Sequence, residues 1–194
     1  QEEYGALSLA YAFMGFAIIL YRYGMDTALM KYAVQETGEE RAMHISVILV
    51  SQIVTGLIFT LILFSTRNSS AIIIIGVNRP EWITYLAIIL FLDSLWNLPL
   101  LILRAEERAF SYIIFSLINV IITMILNILF VVYFKKGIEG VFLANIIASG
   151  TVFVLLLPVF IKRIKIRLFN KKIFFKIANF ALPFLPAGIF TMVM

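Results

Sequence analysis

The chain has 194 residues, of which 62% are hydrophobic and only 14% charged; a soluble domain is nearer half apolar and a quarter charged, so an ordinary water-soluble globule is excluded. The formal net charge is +5, but the cations sit mostly in the polar connections between apolar blocks, where they set membrane topology, and no nucleic-acid partner is expected. Cysteine is absent, which excludes a disulfide scaffold and a thiolate metal site.

The apolar residues fall in blocks of about twenty, the length that crosses about 30 Å of hydrocarbon as a helix. The ten-residue alternation of a barrel strand is missing, so an all-α polytopic membrane protein with about six transmembrane helices is expected. The first predicted span runs from about Tyr4 to Tyr23, its helix continuing past Gly24 towards Tyr32. A polar stretch, Gln35 to Arg41, leads to the second, about Ala42 to Phe64. Within the following connection the apolar island Ala71–Val77 is too short to cross and reads as an interfacial or packed segment. Asn78-Arg79-Pro80-Glu81 opens the next helix, with Pro suited to the first turn and Glu to the positive end of the helix dipole. The third span is about Trp82 to Leu103, with Trp82 at the interface; the fourth is about Ala109 to Phe134, long enough to demand tilt or overhang. Lys135-Lys136-Gly137 turns into the fifth, about Ile138 to Ile161. A basic run follows (Lys162, Arg163, Lys165, Arg167, Lys171 and Lys172), and a sixth span begins near Ile173, with Pro183, Pro186 and Gly188 inside it.

Lys and Arg number twelve on one side of these spans and four on the other, the minority being Arg67, Arg79, Lys135 and Lys136. Positive charge stays cytoplasmic, which places the basic run inside and residues 1–3 outside. A chain that arrives from outside needs an earlier crossing, and this one stops at Met194 within an apolar run. The expectation is a piece of a longer protein: residues 1–161 an N-terminal lobe lacking its first helix, 162–172 a basic cytoplasmic linker, and 173–194 the start of a second lobe.

Polar residues inside spans are costly, so their positions carry information. Ser116, Asn119, Thr123 and Asn127 share one face of the fourth span; Gln52, Gly56 and Thr60 line the second; Asn145 and Ser149 line the fifth. Asp93 and Asn97 stand one turn apart in the third, with Asp93 near the midplane. Such stripes either glue helices together or enclose a polar cavity, and Asp93 is either a clamped acid or an ion-coupling site. Arg22 and Asp26 are one turn apart and suited to pairing. Lys31 lies near the cytoplasmic boundary, where snorkelling is the simpler role. His44 has no second ligand beside it and reads as structural. Nothing resembles a nucleophile–base pair, a metal cluster or a phosphate loop, so neither an enzyme nor a bound cofactor is expected.

Several stretches resemble the polysaccharide flippases, the O-antigen and capsule exporters of the multidrug/oligosaccharidyl-lipid/polysaccharide superfamily. They are Glu3-Tyr4-Gly5 with the segment from Tyr23 through Asp26 and Lys31 to Tyr32; Leu103-Arg104-Ala105-Glu106-Glu107-Arg108; the segment from Lys136 through Gly137 and Gly140 to Asn145; and Leu182-Pro183-Phe184-Leu185-Pro186 after a basic linker. The order and spacing match across nearly the whole chain, although Lys31 stands where Arg is often found. The resemblance implies a bundle like that of the multidrug and toxin extrusion proteins, with two lobes and twelve to fourteen helices in all. It implies a bacterial or archaeal cytoplasmic membrane and a polyprenyl-pyrophosphate-linked oligosaccharide as cargo, driven by a coupling ion such as H+ or Na+. Arg22, Asp26 and Lys31 are then the expected cargo-binding residues; Asp93, Asn97, Asn119, Thr123 and Asn127 are expected to line the cavity or couple the ion. A multidrug or cation antiporter of the same superfamily, and a non-transporting membrane assembly subunit, are the alternatives.

Overall fold

The computed structural model describes residues 2–165 and 169–193, with side chains described from 5 to 165 and from 169 to 192; Arg167 of the basic run lies outside the described residues. All regular structure among the described residues is helical. In chain order it comprises α1 (Glu2–Arg22), α2 (Met25–Gln35), α3 (Gly38–Ser65), the short α4 (Arg67–Ser70) leading into a π-helical turn (Ala71–Ile75), and α5 (Pro80–Ala105). Then come α6 (Ala109–Asn127), prolonged by a π-helical stretch (Ile128–Tyr133), α7 (Gly137–Arg163), α8 (Lys171–Ala181) and α9 (Phe184–Val193). Six stretches are long and apolar enough to cross a membrane: Gly5–Arg22, Gly38–Ser65, Pro80–Ala105, Ala109–Tyr133, Gly137–Arg163 and Lys171–Met192. The chain is an all-α, multi-pass membrane protein.

Helix α5 is the axis of the bundle, in contact with α1, α2, α3, α6 and α7. Its buried side chains, among them Ile83, Leu86, Leu90, Leu98 and Ile102, supply every layer of the core. Helix α6 is the opposite case. It buries no residue at all, and Phe110, Leu117, Val120 and Met124 are exposed. In water such a helix would be a liability, but lipid tails are as apolar as its side chains and leave no drive to bury them. Only its half-buried face, which includes the stripe of Ser116, Asn119, Thr123 and Asn127, turns towards the rest of the bundle.

The apolar island before α5 is packed rather than crossing: Ala71 and Ile75 join Ala6, Ala10, Trp82 and Phe142 in one buried cluster. At the other end, Glu106 in the turn after α5 pairs with Arg41 of α3 at 3.6 Å and with Arg163 at the end of α7. The Ser46 hydroxyl donates to the Arg163 carbonyl at 2.9 Å and accepts from the Lys165 amide at 3.0 Å. The start of the basic run is thereby tied to α3. His44 is buried, its ring stacked on Tyr32 at 4.5 Å and its Nδ1 2.6 Å from Glu36, a structural setting.

The first helix does not continue through Gly24. Tyr23 (φ 33) and Gly24 (φ 78) are both left-handed, which ends α1 at Arg22 and starts α2 at Met25. The sequence marks no break there beyond Gly24 itself; the break is stabilised by contacts from far along the chain. The Tyr21 carbonyl, near the end of α1, accepts from Gln52 Nε2 of α3 at 2.5 Å. A Cβ on Gly24 would run into the backbone carbonyl of Ala181. Ala181 ends α8, and Pro183 follows in the gap before α9. Two interrupted helices thus meet break against break.

The orientation derived from charge is open to direct test, because the chain has no cysteine of its own. A cysteine at Lys171 is expected to react with an impermeant maleimide only in opened cells, and one at Lys135 in intact cells. Labelling of K171C in intact cells would invert the topology.

Candidate functional site

Where the two breaks meet, an open cavity of about 300 Å³ lies between the helices. Its walls include Arg22, Asp26 and Thr27 from the α1–α2 junction and Phe184, Gly188 and Thr191 from α9. Helix α9 packs along α1, with Gly188 close against Ile19. The charge at its wall is unusual for a spanning segment. Arg22 is half-buried, its Nε has no hydrogen-bond partner, and among the described residues it makes no ion pair. Asp26 and Asp93 both attract its guanidinium electrostatically. The turn at Gly24 prevents the helical pairing of Arg22 with Asp26; Asp26 instead accepts from the Thr27 amide at 2.9 Å. What the spacing suggested as an ion pair is a cation and an anion on the wall of one cavity. A half-buried cation with no direct partner is costly to hold, so a polar ligand or water in this space lowers the cost of holding Arg22 there.

Lys31 is elsewhere. Its Nζ lies 3.8 Å from the Phe180 ring centroid and 5.3 Å from that of Tyr32, a cation–π contact between α2 and α8. It is not among the residues that line the cavity. The break at Gly24 does reorient α2 relative to α1, but it sends Lys31 towards aromatic rings instead of towards Arg22.

Asp93 sits on the α7 side of α5. Its Oδ1 accepts from Ser149 Oγ of α7 at 2.6 Å and from Trp96 Nε1 at 2.9 Å. It is thus clamped by two donors, while its charge still reaches Arg22. Asn97 is half-buried one turn further along. Asn119, Thr123 and Asn127 lie on the half-buried face of α6, where Asn119 Nδ2 and Asn127 Oδ1 are buried without partners. None of these residues lines the cavity beside Arg22. The α3 line is helix glue: Gln52 holds the Tyr21 carbonyl, Thr60 shares a 3.0 Å hydrogen bond with the Tyr21 hydroxyl, and the absent Cβ of Gly56 makes room for the Phe91 ring.

Sequence reasoning found Arg22 and Asp26 but missed Thr27, Phe184, Gly188 and Thr191 as cavity walls. The signal was present in Pro183, Pro186 and Gly188, which mark a weakened helix; which partner that helix meets is not a local property.

A family model described as "Polysaccharide biosynthesis protein" matches residues 1–194. No curated protein and no solved structure matches the chain.

Proposed function

We propose that this chain, which belongs to the polysaccharide biosynthesis protein family, is part of a transporter that flips a polyprenyl-pyrophosphate-linked oligosaccharide across the cytoplasmic membrane of a bacterium or archaeon. The lobes sketched from the sequence, with residues 1–161 in the first and 173–194 opening the second, belong to the same proposal. The role is transport rather than catalysis.

The observation that carries this reading is Arg22, unpaired among the described residues and half-buried on the wall of a cavity between α1–α2 and α9. A pyrophosphate entering a low-dielectric bilayer needs a positive partner, and a guanidinium meets phosphate oxygens with a planar fork. The charge-derived topology puts this junction in the cytoplasmic half of the membrane, the side on which such a cargo would be loaded. Asp26 and Thr27 next to it offer an acceptor and a hydroxyl to sugar groups. Lys31 acts as an interfacial support of α2 on α8.

The test is Arg22→Ala and Arg22→Lys in the complete protein, with surface glycan measured at matched protein level. Arg22→Ala is expected to lower export about tenfold, the loss of one charge-assisted hydrogen bond, with Arg22→Lys retaining part of it. Wild-type export from Arg22→Ala overturns the role. A second reading, a cation antiporter, draws on Asp26 in the same wall; surface glycan intact in both Arg22→Ala and Asp26→Asn, with efflux of an organic cation lost in Asp26→Asn, would favour it.

A further inference from the structure

A second charged cavity lies at the other end of the bundle from the basic run. It holds about 250 Å³ and is lined by Arg79, Trp82, Lys135, Lys136, Gly137 and Glu139, among others. Arg79 and Lys136 are the residues that cap α5 and α7, and neither helix start has a side-chain hydrogen bond to its cap. Two long helices therefore bring the positive ends of their dipoles to one cavity. The turn between α6 and α7 is left-handed at Lys135 (φ 53) and Gly137 (φ 56), a conformation that non-glycine residues seldom adopt without a compensating contact. Trp82 is only 6% exposed, packs edge-on against Phe142 at 5.9 Å, and its indole Nε1 is buried without an acceptor.

Among the described residues no acid pairs with the cations here, whereas two of the four in another basic cavity share a carboxylate. That cavity is lined by Arg41, Lys162, Arg163 and Lys165, and Glu106 pairs with both Arg41 and Arg163. Among the described residues, Arg79, Lys135 and Lys136 make no ion pair, and Glu139 is the one acid among the described lining residues. Lys136 rests over the Phe130 ring at 5.6 Å.

We propose that this cavity binds a phosphate group. Three unpaired cations around one cavity, at the positive ends of two helix dipoles, together match a compact anion with several acceptor oxygens. A carboxylate would satisfy fewer of these donors. Val132, Tyr133 and Phe134, immediately before Lys135, are exposed at 67%, 76% and 52%, so apolar surface leads directly to the cationic turn. The source of the phosphate is either an anionic phospholipid headgroup, whose chains lie along this surface, or free phosphate from solution. The site is separate from the cavity at Arg22 and does not depend on what that cavity carries.

The complete protein, purified in neutral detergent, is titrated with inorganic phosphate, with phosphatidylglycerol and with diacylglycerol, which lacks the phosphate. Binding is read by native mass spectrometry and by the unfolding midpoint. The variants are Lys135→Gln/Lys136→Gln and Arg79→Gln, with Lys171→Gln/Lys172→Gln as the control. Phosphatidylglycerol or phosphate is expected to bind the wild type and the control equally. The double variant and Arg79→Gln are each expected to weaken that binding about tenfold or more, in line with the loss of charge-assisted bonds. Phosphatidylglycerol alone binding identifies the headgroup as the source; inorganic phosphate binding as tightly identifies free phosphate. Equal binding of diacylglycerol, or unchanged binding by both variants, overturns the proposal.

Discussion

Asp93→Asn is expected to leave the protein folded and inserted while transport falls about tenfold, equivalent to about 1.4 kcal/mol on the limiting step. The geometry makes this substitution informative. Asp93 Oδ1 accepts from Trp96 Nε1 and from Ser149 Oγ, and the amide oxygen of Asn accepts from the same two donors in the same place. Shape and hydrogen bonds are preserved, and only the charge, with its pull on Arg22, is removed. A fall in transport at matched expression therefore reports the charge. Asp93→Leu strands both donors at the α5–α7 contact and is expected to cost about 2 kcal/mol of stability in addition. Normal export from Asp93→Asn would make Asp93 a clamp between helices and no more. The readouts are surface glycan for transport and the unfolding midpoint in detergent for stability.

Gly24→Ala is expected to be among the most destabilising single-methyl additions in the chain, at about 3 kcal/mol. Left-handed backbone (φ 78) carries part of that cost. The larger part is the new Cβ, which meets the Ala181 carbonyl, a backbone atom with no rotamer to retreat into. Gly38→Ala separates the two contributions. Gly38 is also left-handed (φ 62) but has nothing within 4 Å of its Cβ position, so it is expected to lose only about 1 kcal/mol. Unfolding midpoints of the two variants in the same detergent give the comparison. Equal losses would show that the junction of the two breaks tolerates expansion. A larger loss at Gly24, with transport also reduced, ties that junction to the cavity beside it.

The spans were legible because an apolar run of crossing length is a local property. Transfer from water to hydrocarbon acts on each residue where it stands, so the predicted and observed helices agree to within a few residues at most ends. That Ala71–Val77 does not cross was legible for the same reason, since the run is too short; whether it lay at the interface or packed was not, and the burial of Ala71 and Ile75 decides it. The family match over residues 1–194 agrees with a resemblance carried by short motifs in a fixed order.

Partnership was not legible. Asp93 and Ser149 stand 56 residues apart, and nothing near either one announces the other. Gln52 reads as one member of a polar line until it is seen holding the Tyr21 carbonyl beside the break at Gly24. Lys31 reads as a cargo cation until α8 brings Phe180 beneath it. Arg79, Lys135 and Lys136 were counted only as outer charges, because α5 and α7 start far apart in sequence and side by side in space. The sequence by itself determined which segments enter the bilayer, since burial in lipid asks only for apolar length. Which polar side chains meet, which stand alone and where space remains between helices were decided by tertiary packing, since a hydrogen bond or a cavity depends on atoms that only the folded bundle brings within a few ångströms.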